Sequence, residues 1–283
     1  MRVVSLNTWQ LPFIAKDRQS RLLRLPGVLR DSGADIIALQ EMWSNKERDA
    51  LIATLAADYP HVAFAKGARG LLRGRFGNGL IVLSRFPLRE EPSIGEFSAY
   101  TYYEEFFVRK GVMRVPLLLP SGPLDFFNAH LGAIRFHDKS GRFQSAEQKH
   151  HATQLDDLMS YIKERGTAPT LVVAMDVNLH HENWDPSTRA FVAGSLAEAH
   201  RELRDTLRFD SSREHLVGVV RHSYERENPY VAANPFGRGP SELVDYVLLN
   251  RDSPAFTMGE SRLAREWSIS DHYGVVSELV PRA

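Results

Sequence analysis

The chain has 283 residues, 43% hydrophobic and 25% charged, and its 35 basic and 35 acidic residues give a formal net charge of zero. That balance excludes a protein held on a polyanion by bulk charge, although a local basic patch stays open. With no cysteine, disulfides, thiol nucleophiles and cysteine metal ligands are also excluded, and the length suits one large α/β domain or two small ones.

Strands and helices alternate along the chain, with no internal repeat and no low-complexity linker. Met1-Arg2 leads straight into a strand, Val3 to Leu6, that ends on Asn7. This opening leaves no room for a signal-peptide core, and no window approaches ~18 consecutive apolar residues. The expected location is therefore cytoplasmic or peripheral to a membrane. Arg18 to Ser32 reads as a helix with Leu22, Leu25 and Leu29 on one face, and Pro26 is expected to kink or divide it. Asp35 to Leu39 is a strand running into Gln40-Glu41, followed by a helix from Lys46 to Ala57 with Leu51, Ile52 and Leu55 inward.

Gly77-Asn78-Gly79 is a turn into the strand Leu80 to Leu83. Phe106 to Leu119 and Leu124 to Leu131 read as strands joined by the turn Pro120-Ser121-Gly122-Pro123, the second carrying Asn128-Ala129-His130. The longest helix runs from Arg142 to Arg165, with Leu155, Leu158 and Ile162 inward. Leu171-Val172-Val173-Ala174 reads as a strand covered on both faces, and it delivers Asp176 and Asn178 to one sheet edge. Leu243 to Leu249 carries Asp245 inside an apolar strand, and Ser268-Ile269-Ser270 leads into Asp271-His272.

Residues two apart on an extended chain share a face, so Asp176 and Asn178 can point at one ligand. Alone they could equally be an Asp/Asn-rich turn closing a strand. Their recurrence as one of seven polar groups along these strands favours a site assembled on a rigid sheet. Because these groups span residues 7 to 272, one domain is favoured over two. Other features carry less. His150-His151 reads as solvated helix surface, and His180-His181 could line a cleft but lacks zinc-ligand spacing. The aromatic run from Phe97 through Tyr100, Tyr102, Tyr103, Phe106 and Phe107 is either a half-buried strand or a loop for lipid head groups. Trp9, Trp43 and Trp184 are candidates to line a cleft mouth.

The ordered set Leu6-Asn7-Thr8-Trp9, Gln40-Glu41-Met42-Trp43, Asn78-Gly79-Leu80, Ser84-Arg85-Phe86-Pro87, Asn128-Ala129-His130-Leu131, Met175-Asp176-Val177-Asn178, Val244-Asp245-Tyr246 and Ser270-Asp271-His272-Tyr273 resembles the endonuclease/exonuclease/phosphatase superfamily, the DNase I-like group. The resemblance covers the whole chain. It implies an α/β four-layer sandwich of two mixed β-sheets flanked by helices, forming a single catalytic domain over residues 1–283, and a divalent-metal phosphoesterase. Within that superfamily the chain is most similar to the neutral sphingomyelinases, through Trp9-Gln10-Leu11-Pro12, Glu41-Met42-Trp43, Lys110-Gly111-Val112, and Asn228-Pro229-Tyr230-Val231 followed by Pro235-Phe236. It departs from them at Gly132, where they carry a polar residue, and in lacking the hydrophobic C-terminal tail of some members.

Phosphodiester hydrolysis needs an activated water, charge relief on the phosphoryl oxygens and help for the leaving oxygen. Carboxylate and amide oxygens suit Mg²⁺, with Mn²⁺ as a substitute. Glu41 is the expected ligand, with Asn7 and Asp271 beside it. His272 is the expected general base, and Asp245 its orienting partner by resemblance. Asp176 is expected to orient the attacking water, Asn178 to hold a phosphoryl oxygen and His130 to donate to the developing charge. The expected substrate is a phosphodiester, with a phospholipid head group and peripheral membrane contact favoured. A nuclease using Arg69, Arg73 and Arg75 is the alternative, and a non-catalytic binding module the third.

Overall fold

Alternation along two parallel strands sets the architecture. β1 (Arg2–Asn7) and β2 (Ile36–Gln40) pair in parallel, Val3 opposite Ile36 through Asn7 opposite Gln40. Side chains alternate between faces along each strand. Val3, Ile36 and Ala38 belong to a core shared with Phe126, Val172 and Val247, whereas Val4, Leu6, Ile37 and Leu39 belong to a second core with Leu25, Leu29, Leu51 and Leu55. One face of the sheet therefore meets another sheet and the other meets helices. Asn7 and Gln40, in step with Val3 and Ile36, fall on the inner face. The computed structural model describes residues 1–65, 77–99, 108–133, 145–178, 208–218, 222–234 and 241–282.

The remaining strands are β3 (His61–Phe64), β4 (Ile81–Ser84), β5 (Ser93–Glu96), β6 (Gly111–Leu119), β7 (Gly122–His130), β8 (Thr170–Asp176), β9 (Phe209–Ser211), β10 (Asp245–Asn250), β11 (Phe256–Ala264) and β12 (Gly274–Pro281). They form two six-stranded sheets, ordered β11-β12-β1-β2-β4-β3 and β5-β6-β7-β8-β10-β9. Each is mixed, with one parallel pair (β1–β2, β7–β8) among antiparallel neighbours. This is the expected sandwich. The helices are α1 (Arg18–Asp31), α2 (Asn45–Leu55), α3 (Ser145–Arg165) and the short α4 (Pro229–Ala233). No helix among the described residues is long and apolar enough to cross a membrane.

Several elements differ from those expected. α1 runs through Pro26 as a single helix, and its buried residues are Arg21, Leu25 and Leu29, not Leu22. α2 starts a residue early because Ser44 caps it, accepting from the Glu47 backbone N–H at 3.4 Å. β6 begins at Gly111; of its expected start, Phe106 and Phe107 lie outside the described residues, and Val108 to Lys110 precede the strand. The β6–β7 hairpin closes with Leu119 paired to Gly122, so its loop is Pro120-Ser121 alone. Residues 142–144 lie outside the described residues.

The end of the second sheet remote from His130 is held by a buried charge. Asp125 is fully buried, accepting from the backbone N–H groups of Thr167 (2.8 Å) and Ala168 (2.9 Å) and from the guanidinium of Arg114 (2.8 Å). Removing one partner of a buried pair strands the other, which costs about 3–5 kcal/mol. Asp125→Ala should therefore lose stability on that scale, read from the denaturation midpoint at unchanged slope.

Candidate active site

Register brings the strand-end residues together. Asp176 ends β8 opposite both His130 on parallel β7 and Asp245 on antiparallel β10. Across the sandwich, Asn7 ends β1, and β12 runs antiparallel to β1, so the exit of β1 and the segment leading into β12 lie side by side. That segment carries Asp271 and His272.

Asn7 joins the two sheets. Its Nδ2 donates to Asp176 Oδ2 at 2.8 Å and to Glu41 Oε1 at 3.1 Å, while its Oδ1 accepts from the Trp9 backbone N–H at 2.9 Å. Asn7 thus presents its nitrogen, not its oxygen, to the two carboxylates. Glu41 has φ 60°, a left-handed conformation that a non-glycine residue rarely adopts and that stores about 1–3 kcal/mol. Its side chain remains 16% exposed. Asn178 is also left-handed (φ 50°), a conformation asparagine tolerates better. Its backbone N–H donates to Asp176 Oδ1 at 2.9 Å, and its Nδ2 donates to the Leu131 carbonyl at 3.0 Å.

His130 is fully buried, its Nε2 3.4 Å from Asp176 Oδ2 and 3.7 Å from Glu41 Oε1. Neither ring nitrogen has a hydrogen-bond partner among the described residues. Burial, with the charges of Lys110 and His272, holds its pKa well below the ordinary histidine value, so the ring is neutral. His272 is the opposite case. Burial alone would lower its pKa, but Asp245, Asp176 and Asp271 outweigh it and hold it well above the ordinary value. Its Nδ1 lies 2.8 Å from Asp245 Oδ2. Since a carboxylate only accepts, Nδ1–H is held by Asp245 in either protonation state, and Nε2 is the nitrogen that gains or loses a proton. The ring packs against Tyr224 at 5.2 Å between centroids.

Burial raises Asp176, to about 7, with the Asp245 charge adding to it, and burial raises Asp271, to about 6. In both, burial outweighs the lowering effect of the nearby His272 charge. Asp271 Oδ2 accepts from Asn234 Nδ2 at 2.9 Å, and Asn228 donates to the Ser270 and Asp271 carbonyls at 2.9 and 3.1 Å.

Among the described residues, the cluster whose ligand atoms lie within 4.8 Å of one another is Asp176, Asp245 and His272, a different set from Glu41, Asn7 and Asp271. Two of the three, Asp245 and His272, are already joined by their hydrogen bond at 2.8 Å. The oxygen-rich, thiol-free donor set, the unpartnered buried Oδ1 of Asp245 and the excess of carboxylates together fit a hard divalent cation.

Some expectations change. Trp9 and Trp43 do not line a mouth; they are 4% and 3% exposed. Trp43 packs 6.2 Å from the His130 ring, and a Cβ on Gly79 would meet its ring at 2.8 Å. Phe97 is core, with 3% exposure. Arg69, Arg73, Arg75, Tyr100 to Phe107, His180-His181, Trp184 and Pro235-Phe236 lie outside the described residues. Arg21, Asn228 and Asn234 are not expected here from the sequence, nor is Ser223, whose Oγ accepts from the Val244 and Asp245 backbone N–H groups at 3.1 Å. Asn228-Pro229 carries a readable signal, an N-cap before proline at the first helical position, and Asn228 does accept from the Tyr230 N–H at 3.0 Å.

His151 is buried, not solvated. Its Nε2 lies 2.6 Å from the Val177 carbonyl, and burial lowers its pKa to about 4. The unfolded chain, with histidine near 6.5, binds the extra proton first as pH falls. The His151 contribution to stability is therefore complete above about 6.5 and lost on the way down to about 4. His151→Gln should flatten the pH dependence of the unfolding midpoint in that window.

Comparison with known proteins agrees with this geometry. Residues 4–272 match the Endonuclease/Exonuclease/phosphatase family. The chain belongs to that family. It is 27% identical to Sphingomyelin phosphodiesterase 2 of Homo sapiens over 294 residues, covering 100% of this chain and 65% of that protein. It is 26% identical to the Mus musculus protein of the same name, covering 88% and 56%. The chain thus spans less than two thirds of these relatives' length. Among solved structures, Sphingomyelinase C from Streptomyces griseocarneus superposes with a TM-score of 0.75 at 17% identity, covering 98% of each chain. A beta toxin from Staphylococcus aureus with bound magnesium ions gives 0.73 at 15%, again covering 98% of each. At these identities the likeness establishes the fold.

Proposed function

We propose that the chain is a Mg²⁺-dependent phosphodiesterase of sphingomyelinase type, cleaving a phospholipid head group from one catalytic domain spanning residues 1–283. The observation that carries the chemistry is the His272–Asp245 pair at 2.8 Å, set against Asp176, Asn7 and Glu41 where the two sheets meet. His272 Nε2 takes the proton of the attacking water while Asp245 fixes the ring and stabilises the imidazolium. Asp176, held by Asn7 and by the Asn178 backbone, orients that water. His130 donates to the charge developing on the phosphoryl group. Asn178, whose amide contacts Leu131, supports that oxygen from the same strand end. Glu41 would hold the cation, with Asn7 positioning its carboxylate and Asp271 close by. When bound, Mg²⁺ supplies charge relief for the phosphoryl oxygens.

The lipid substrate is supported by the sphingomyelinase relatives and by a net charge of zero, which disfavours a polyanion. The test is a side-by-side assay with Mg²⁺ at equal enzyme concentration. Phosphocholine, or a related phosphorylated head group, should be released from sphingomyelin or a lyso-lipid in detergent, with little cleavage of plasmid DNA. Rapid plasmid nicking without lipid turnover would replace the lipid by nucleic acid and leave the chemistry intact.

A further inference from the structure

We propose that Arg21 is a positioning residue for this catalytic constellation, its buried guanidinium tying the exit of β1 to the segment that carries Asp271 and His272. The proposal rests on the functional reading above and adds a residue that the reading does not use. Arg21 lies one and two turns before Leu25 and Leu29, so it occupies the core stripe of α1. Its exposure is 0%. Nη1 donates to the Thr8 carbonyl at 2.8 Å and to the Ile269 carbonyl at 2.9 Å, Nη2 to the Trp9 carbonyl at 2.7 Å, and Nε to the Lys16 carbonyl at 2.9 Å. The guanidinium carbon lies 5.0 Å from the Trp9 ring and 5.3 Å from the Tyr230 ring. Among the described residues no carboxylate comes within ion-pair distance of it.

That arrangement is unusual for a charge. Buried guanidiniums are ordinarily paired with a carboxylate, and an apolar side chain of similar volume often serves stability as well or better. The neighbouring arginines behave in the common way. Arg18 pairs with Glu47 at 2.7 Å, and Arg24 reaches Tyr230 and the Ser268 carbonyl near the surface. The carbonyls that Arg21 collects explain the difference. Thr8 and Trp9 directly follow Asn7, and the Trp9 N–H fixes the Asn7 amide. Ile269 stands two residues before Asp271 and three before His272. One planar fork thus spaces the residue that holds Glu41 and Asp176 from the residue that takes the proton. A lysine ammonium is a point charge and cannot reproduce that spacing.

The test compares Arg21→Lys and Arg21→Ala in the full chain, with folding checked by circular dichroism. Two quantities are read: kcat and KM on a soluble phosphodiester, and the His272 ring resonance, assigned with His272→Ala. Both variants should lose roughly 10²-fold in kcat, the scale of a small misplacement of reacting groups, with KM nearly unchanged. Guanidinium ion at millimolar concentration should restore much of the loss in Arg21→Ala and none in His272→Ala. The His272 resonance should shift in Arg21→Ala and return with guanidinium. Should Arg21→Ala not fold, Arg21→Lys carries the same two readouts, and wild-type kcat with an unmoved resonance in folded Arg21→Lys overturns the proposal. A kcat loss in Arg21→Ala that guanidinium leaves untouched also overturns it. If the wild-type chain hydrolyses no phosphodiester at all, the functional reading fails by itself, and the resonance still decides whether Arg21 sets the position of His272.

Discussion

Replacing His272 with alanine should lower kcat by roughly 10²-fold or more, the usual contribution of a general base, while circular dichroism stays unchanged. Among the described residues the ring hydrogen-bonds Asp245 Oδ2 at 2.8 Å and packs against the Tyr224 ring, and it belongs to neither hydrophobic core. Because Nδ1–H is held by Asp245, Nε2 is the nitrogen through which the ring exchanges its proton. Asp245→Asn should follow the same direction more weakly. An amide oxygen still accepts from Nδ1, but it no longer stabilises the imidazolium that forms as the water loses its proton. Near-normal turnover in His272→Ala would place the base elsewhere.

Chelation should abolish activity outright, and added Mg²⁺ should restore it. Glu41, Asp176, Asp245 and Asp271 crowd one end of the sandwich, and burial raises both Asp176 and Asp271. A bound dication offsets that excess, so Mg²⁺ should also raise the melting temperature of the folded chain by mass action. Glu41→Gln should blunt both effects, because it keeps the shape of the side chain and removes its charge. Full activity after exhaustive chelation would end the metal assignment.

Much of this was readable in the chain. The strands that end on Asn7, Gln40 (just before Glu41), His130 and Asp176 were legible because apolar runs stop abruptly at polar residues, a local pattern. Their convergence was legible only through family resemblance, since register between β8 and β10 or packing between the sheets leaves no local trace. Arg21 was hidden by its type: among Arg18, Arg24 and Arg30 on one helix, nothing but its step to Leu25 and Leu29 marks it as buried. His151 was misread for the same reason, a polar residue in a polar helix whose partner is a carbonyl 26 positions away. Trp9 and Trp43 were placed at a mouth because they flank the chemistry in sequence, yet their area is better buried against Tyr230, Gly79 and His130. No local pattern marks Asp125, because its partners come from Arg114, Thr167 and Ala168.

A layer beneath the chemistry, Gln40 Nε2 donates to Asn128 Oδ1 at 2.8 Å, and Asn128 Nδ2 in turn donates to the Leu39 and Ile81 carbonyls at 3.0 and 2.9 Å. Apolar side chains would let two facing sheets slide by small increments at little penalty, because dispersion contacts have no direction. These amides do have direction, and away from water any slide breaks them uncompensated. They act as a dowel between two plates. The gap between Asn7 on one plate and Asp176 on the other is therefore indexed from below, so loops around the rim can vary in length and composition without retuning it.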